Sequence, residues 1–148
     1  MKLTPRDYIL AILPLIIGFG TSFFCRVGKD AGSIVKFRPP AAAFGIIWTI
    51  LFIMFGISWA IAARNCSMHP AVCITIYSLA MASLALWIIV YGCGKSKLGA
   101  CWVLVFSVAC VIACLSIGTP VSKLLIAPLA AWAIFALMMN TTEVQQSK

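Results

Sequence analysis

The chain has 148 residues, of which 64% are hydrophobic and only 9% are charged, and its mean hydropathy is +1.11. Soluble domains carry charge at about a quarter of their positions, so this composition excludes a soluble globular protein and indicates one that lies in a bilayer. Eleven basic residues against three acids give a net charge of +8, but the basic residues lie between apolar segments, as membrane flanks do. This distribution argues against nucleic acid as a partner.

Charged and turn-forming residues divide the chain into five apolar segments, each close to the length of about 20 residues with which a helix crosses a bilayer. The predicted helices span residues 8–24, 41–63, 71–93, 98–118 and 120–139. A short polar tail, 140–148, follows them. The sequence therefore predicts an all-α membrane protein, a bundle of five transmembrane helices that forms one domain over residues 1–148.

The first connection is the only long one, and it ends in the pair Pro39 and Pro40. Proline suits the start of a helix because the N–H groups of the first turn have no intrahelical partner. The pair therefore predicts where the second helix begins. Trp48 lies about two turns into that helix, with Phe44 and Phe52 four residues to either side, so the three rings share one face.

A second aromatic stripe lies in the fifth helix, where Phe135 follows Trp132 by three residues. Two interpretations of the stripes stay open on the residues alone. They face lipid, or they face each other and line a pocket for a flat apolar ligand. Trp87 and Trp102 lie near the ends of their segments, where tryptophan commonly sits at the level of the lipid headgroups.

Ionisable residues are absent from the interiors of the apolar segments, which argues against pumps and proton-coupled transporters. The single histidine and the three acids lie in loops or near the termini, which argues against a nucleophilic hydrolase. Cys66, His69 and Cys73 are close in sequence, but three ligands without a fourth make a weak zinc signal, so we predict no metal site.

The seven cysteines are odd in number, and most lie inside apolar segments. In such surroundings cysteine behaves as a small hydrophobic residue. We therefore predict no structural disulfide.

The stretch FRPPAAAFGIIWTILFIMFG resembles the translocator protein family, whose members are also called tryptophan-rich sensory proteins or peripheral benzodiazepine-receptor-like (TspO/MBR) proteins. The matching residues are Phe37, Pro39, Pro40, Phe44, Trp48, Thr49, Phe52, Met54 and Gly56. A second match, in the fifth helix, is made by Pro120, Pro128, Ala131, Trp132, Phe135 and Asn140. A fainter match in the third helix rests on Tyr77 and Trp87.

The resemblance implies a compact five-helix bundle, often dimeric, whose first long loop covers a pocket for porphyrins, sterols or synthetic ligands. The binding residues that it implies are Pro39, Pro40, Phe44, Trp48, Phe52, Trp87, Trp132, Phe135 and Ala136. No cofactor is expected to be required, and a porphyrin or haem-type compound would be a ligand. The positions at which the chain departs from the family pattern are Ala42, Leu84, Ala85, Ala127 and Leu129.

Three functions stay open. A binding or sensory protein for a tetrapyrrole or sterol is favoured, a transporter of such ligands is second, and a porphyrin-degrading enzyme is third. Ala42 and Ala85 stand where the family commonly has tryptophan, and this loss of redox-active side chains argues against the enzyme.

The expected partners are the lipid bilayer, the ligand and a second copy of the chain. The expected location is the mitochondrial outer membrane of a eukaryote or the cell envelope of a bacterium.

Five spans distribute the basic residues unequally over the two sides of the membrane. One side has Lys2, Arg6, Arg64 and Lys123, and the other has Arg26, Lys29, Lys36, Arg38, Lys95, Lys97 and Lys148. By the positive-inside rule, the second side faces the cytosol. A tag placed after the last residue should be accessible from the cytosol, and one placed before the first should not. Protection of the carboxyl-terminal tag from protease added on the cytosolic side would contradict this topology.

Overall fold

The computed structural model describes residues 2–148. Within this range the chain forms five helices: α1 (Pro5–Phe24), α2 (Ala41–Asn65), α3 (Pro70–Gly92), α4 (Lys97–Ile117) and α5 (Pro120–Gln146). Each is long and apolar enough to cross a membrane. The predicted fold class, an all-α bundle of five transmembrane helices, is confirmed.

The helices begin where a side chain accepts a hydrogen bond from a free N–H group of the first turn, or where proline, which has no N–H group, occupies or precedes that turn. Proline is the first residue of α1, α3 and α5, and Pro40 immediately precedes α2. At the start of α4, the Ser96 hydroxyl accepts a hydrogen bond from the Gly99 N–H over 3.1 Å. The turn chemistry of the sequence therefore accounts for where each span starts.

The five helices form a ring in the order α1, α2, α5, α4 and α3, and α2 also contacts α3 across it. The half of the bundle away from the long first connection packs around a core that includes the fully buried rings of Phe55 and Tyr77. A hydrogen bond of 2.9 Å joins the Tyr77 hydroxyl to that of Ser58, which donates to the Ser122 carbonyl over 2.8 Å. These bonds link α2, α3 and α5 inside the apolar core.

At this same end, α1 and α2 are joined by an ion pair between Asp7 and Arg64. The Arg64 Nε–H donates to the Asp7 carboxylate over 2.8 Å, and the same carboxylate accepts from the Thr4 N–H over 2.6 Å. Further along the two helices, Gly56 of α2 lies directly against the backbone of Ala11 in α1. The two helices are therefore held both by charge and by close backbone contact.

The end of the chain differs from the prediction of a polar tail over 140–148, because α5 continues to Gln146. Asn140 and Glu143 are each only 3% exposed. Their side chains turn toward the bundle, where they find polar partners on other elements. These two polar side chains therefore belong to a buried hydrogen-bond network.

The prediction of no structural disulfide is wrong, because the structure pairs Cys25 with Cys93 and Cys66 with Cys73. Cys25 and Cys93 directly follow α1 and α3, while Cys66 follows α2 and Cys73 lies in the first turn of α3. The helix ends bring these sulfur atoms together, which spacing in the sequence did not indicate. Among residues 2–148, the free thiols are those of Cys101, Cys110 and Cys114.

Gly56→Ala should destabilise the bundle, because a Cβ atom at this position would lie 2.0 Å from the Ala11 carbonyl oxygen. Overpacking of a close contact typically costs about 1–3 kcal/mol. Gly45→Ala is the matched control in the same helix, since a Cβ atom there meets no atom within 4 Å. Thermal unfolding of both variants in one detergent, followed by circular dichroism, measures the difference. Equal melting temperatures would contradict the close α1–α2 contact.

Candidate functional site

A cavity of about 560 Å³ occupies the other end of the bundle, beneath the long first connection. We call this connection, residues 25–40, the lid. Helices α1, α2, α3 and α5 form the walls of the cavity, and the first half of the lid covers it. The walls are mostly apolar, and the volume lies within the range of about 300–1,000 Å³ that is usual for small-molecule sites.

Trp48 is the centre of the aromatic wall. Its ring centroid lies 5.5 Å from that of Phe52 and 6.0 Å from that of Trp87. The Trp87 indole N–H donates to the Asn140 side-chain oxygen over 3.4 Å, which orients that ring. Rings from α2 and α3 thereby present a continuous apolar surface of the kind that suits a flat ligand.

A buried carboxylate, that of Glu143, holds the lid to the bundle. It accepts hydrogen bonds from the Gly32 N–H over 3.1 Å and from the Tyr91 hydroxyl over 2.7 Å. The Lys97 ammonium group lies 3.1 Å away and balances its charge. Gly32 has a φ of +70°, a conformation that favours glycine. One side chain of α5 therefore joins the lid to α3 and α4.

The mouth of the cavity is basic. Among the described residues that line the cavity, the charged ones are Arg26, Lys29, Arg38 and Glu143. Arg38 is held in place, since its guanidinium group donates to the Lys29 carbonyl and lies 5.8 Å from the centre of the Phe44 ring. Because Glu143 is already paired with Lys97, the mouth retains an excess of positive charge.

The structure places five of the nine predicted binding residues in the cavity wall. They are Phe44, Trp48, Phe52, Trp87 and Ala136. Whether these residues bind a ligand stays a prediction.

The other four predicted residues lie outside the wall. Trp132 stands behind it, with its ring 5.8 Å from Phe44 and 6.4 Å from Trp48, and Phe135 packs against Trp132 at 5.2 Å. Pro39 and Pro40 lie where the lid joins α2. The two predicted aromatic stripes therefore do meet, but the stripe of α5 supports the wall from behind.

Sequence reasoning missed the polar residues of the site, above all Tyr91, Asn140 and Glu143. A signal for two of them existed. Asn140 and Glu143 follow Ala136 by four and seven residues, which is the spacing of one helical face. The contribution of α1, through Gly18, had no such signal, because that helix is distinguished only by its hydropathy.

Five membrane-spanning helices around a lidded cavity define an integral, multi-pass membrane protein with a site suited to a small apolar molecule. The sequence profile of the TspO/MBR family matches residues 10–144, which is nearly the whole chain. The chain belongs to the TspO/MBR family, and the resemblance noted from its sequence is confirmed. A search of curated proteins finds no significant match.

Glu143→Ala should loosen the lid, because it removes the acceptor of the Gly32 N–H and of the Tyr91 hydroxyl. Hydrogen bonds to a charged group are worth about 1.5–3 kcal/mol, so amide hydrogen exchange in peptides covering 26–38 should become roughly ten- to a hundredfold faster. Asp30→Ala, an exposed acid of the same lid, is the control. Similar exchange rates in the two variants would contradict the anchoring role of Glu143.

Proposed function

We propose that the protein binds a planar, largely apolar ligand with acidic groups at its edge, of which a tetrapyrrole such as protoporphyrin is the leading candidate. The observation that supports this proposal is the position of the Trp48 wall beneath a basic mouth. A flat ring system would stack on the wall and gain offset or edge-on aromatic contacts. Carboxylates at its edge would reach the mouth.

The charges at the mouth favour a tetrapyrrole over a sterol. Arg26 and Lys29 line the cavity and are exposed, so their charged groups are free to pair with ligand carboxylates. A sterol has one hydroxyl group and no charge, and it would gain only the apolar contacts. A sterol is the second candidate, because the walls below the mouth are apolar and would accommodate it.

Binding without turnover is the form of the proposal that the site supports best. The acid that lines the cavity, Glu143, is already engaged by Gly32, Tyr91 and Lys97, so it is poorly placed to exchange protons with a ligand. A porphyrin is accordingly proposed as a ligand and not as a resident cofactor. Transport of the same ligand is the alternative, and its signature would be movement of the porphyrin into sealed vesicles.

Titration of the purified protein with protoporphyrin, followed by tryptophan fluorescence, tests the proposal. Trp48→Ala should remove an aromatic contact worth about 0.5–1.5 kcal/mol together with its buried area, in total about 2–3 kcal/mol. The dissociation constant should rise roughly thirty- to a hundredfold. Trp132→Ala should have a smaller effect, because that ring supports Trp48 from behind.

The control is Trp102→Ala, since Trp102 is 68% exposed on the outer surface of α4. Its removal should leave affinity unchanged while circular dichroism confirms folding. Protoporphyrin dimethyl ester, which lacks the two charges, should bind more weakly than the free acid. Equal effects of the Trp48 and Trp102 substitutions would refute the aromatic wall as the binding surface, and equal affinity for acid and ester would refute the role of the basic mouth.

A further inference from the structure

We propose that Cys25 and Cys93 form a redox-active pair at the mouth of the cavity, which fastens the lid when oxidised and releases it on exchange with small thiols such as glutathione. The proposal deepens the function proposed above, because it concerns how the same cavity is opened. It also has a readout on the lid itself that does not require a ligand.

The two cysteines lie where the lid begins and where α3 ends. Cys25 is the first residue of the lid and Cys93 directly follows α3, and their Cα atoms lie 4.9 Å apart although 68 residues separate them in sequence. The bond therefore joins the beginning of the lid to the end of α3. The residues that follow Cys25, beginning with Arg26 and Val27, line the cavity. Movement of this segment would open the mouth.

The other lid contacts lie further along the chain. The Gly32 N–H binds Glu143, and Arg38 folds back onto the Lys29 carbonyl. Near Cys25 the backbone of the lid is in direct contact with the end of α3, since a Cβ atom on Gly92 would lie 2.6 Å from the Cys25 carbonyl oxygen. The disulfide is thus the strong connection in the first part of the lid, and the Glu143 contacts hold the second part.

The two cysteine residues differ in exposure. Cys25 is 8% exposed, whereas Cys93 is an exposed residue, so Cys93 is the side from which we expect an external thiolate to attack. Its attack would form a mixed disulfide at Cys93, break the bond to Cys25 and release Cys25 as a thiolate, which takes up a proton. A second thiol would then free Cys93. Overall, two small thiols are oxidised to one disulfide and the protein disulfide is reduced to two thiols.

The expected side of the membrane suits a reversible disulfide at this position. The lid lies on the side of the membrane that the positive-inside rule assigns to the cytosol, where small thiols keep most cysteines reduced. The second pair, Cys66 with Cys73, lies at the opposite end of the bundle, where α2 ends and α3 begins. It is far from the cavity and provides a matched control.

The experiment uses the full-length protein in one detergent, equilibrated with glutathione disulfide or with reduced glutathione, and mass spectrometry establishes the state of each pair. Reduction should speed amide hydrogen exchange in residues 26–31 and protoporphyrin release by roughly tenfold. The Cys66→Ser/Cys73→Ser variant should respond in the same way. Cys25→Ser/Cys93→Ser should be fast in both conditions.

The proposal is overturned if the Cys25–Cys93 bond fails to form with glutathione disulfide, or if breaking it leaves exchange in the lid unchanged. If the serine variant does not fold, wild-type protein reduced and then alkylated with iodoacetamide replaces it, with the same expectation of a permanently open lid. If protoporphyrin does not bind at all, the proposed ligand is wrong, whereas hydrogen exchange still decides whether the cysteine pair controls the lid.

Discussion

The buried carboxylate of Glu143 is the interaction on which the arrangement of the cavity mouth depends. A non-helical segment at the end of a membrane bundle needs partners for its backbone groups, and a buried charge without a partner is strongly destabilising. Glu143 meets both requirements together, because it accepts from the Gly32 N–H of the lid and from the Tyr91 hydroxyl, while Lys97 compensates its charge. Removal of any of these partners would leave the buried carboxylate less well satisfied, so the contacts of Glu143 hold the middle of the lid close to the bundle.

The same network reaches the aromatic wall. Asn140, one helical turn before Glu143, accepts from the Trp87 indole and donates to the Lys97 carbonyl over 3.2 Å. The ammonium group of the same lysine pairs with Glu143. The orientation of Trp87 and the anchoring of the lid at Gly32 therefore depend on residues one turn apart in α5.

Hydropathy and proline positions were sufficient to predict five spans, because lipid requires backbone hydrogen bonds to be satisfied within helices. The spacing of Trp48 and Phe52 likewise predicted a shared face. The polar end of α5 could not be recognised in this way. In the sequence Glu143 is one of several polar residues near the carboxyl terminus, and only the fold shows that Tyr91 and Lys97 lie beside it. The Cys25 pairing was missed for the same reason: its partner lies at the end of another helix, and only the ring arrangement makes them neighbours.

The departures from the family pattern bear on how a ligand would be selected. Ala42 is exposed and outside the cavity wall, whereas Leu84 is buried and lines it. The wall is mostly apolar, while the charged side chains are gathered at the mouth. An apolar pocket separates ligands that differ by a methylene group only by about 1–3 kcal/mol. If the proposed function holds, strong discrimination should come from the mouth, where Arg26 and Lys29 would distinguish a charged ligand edge from a neutral one.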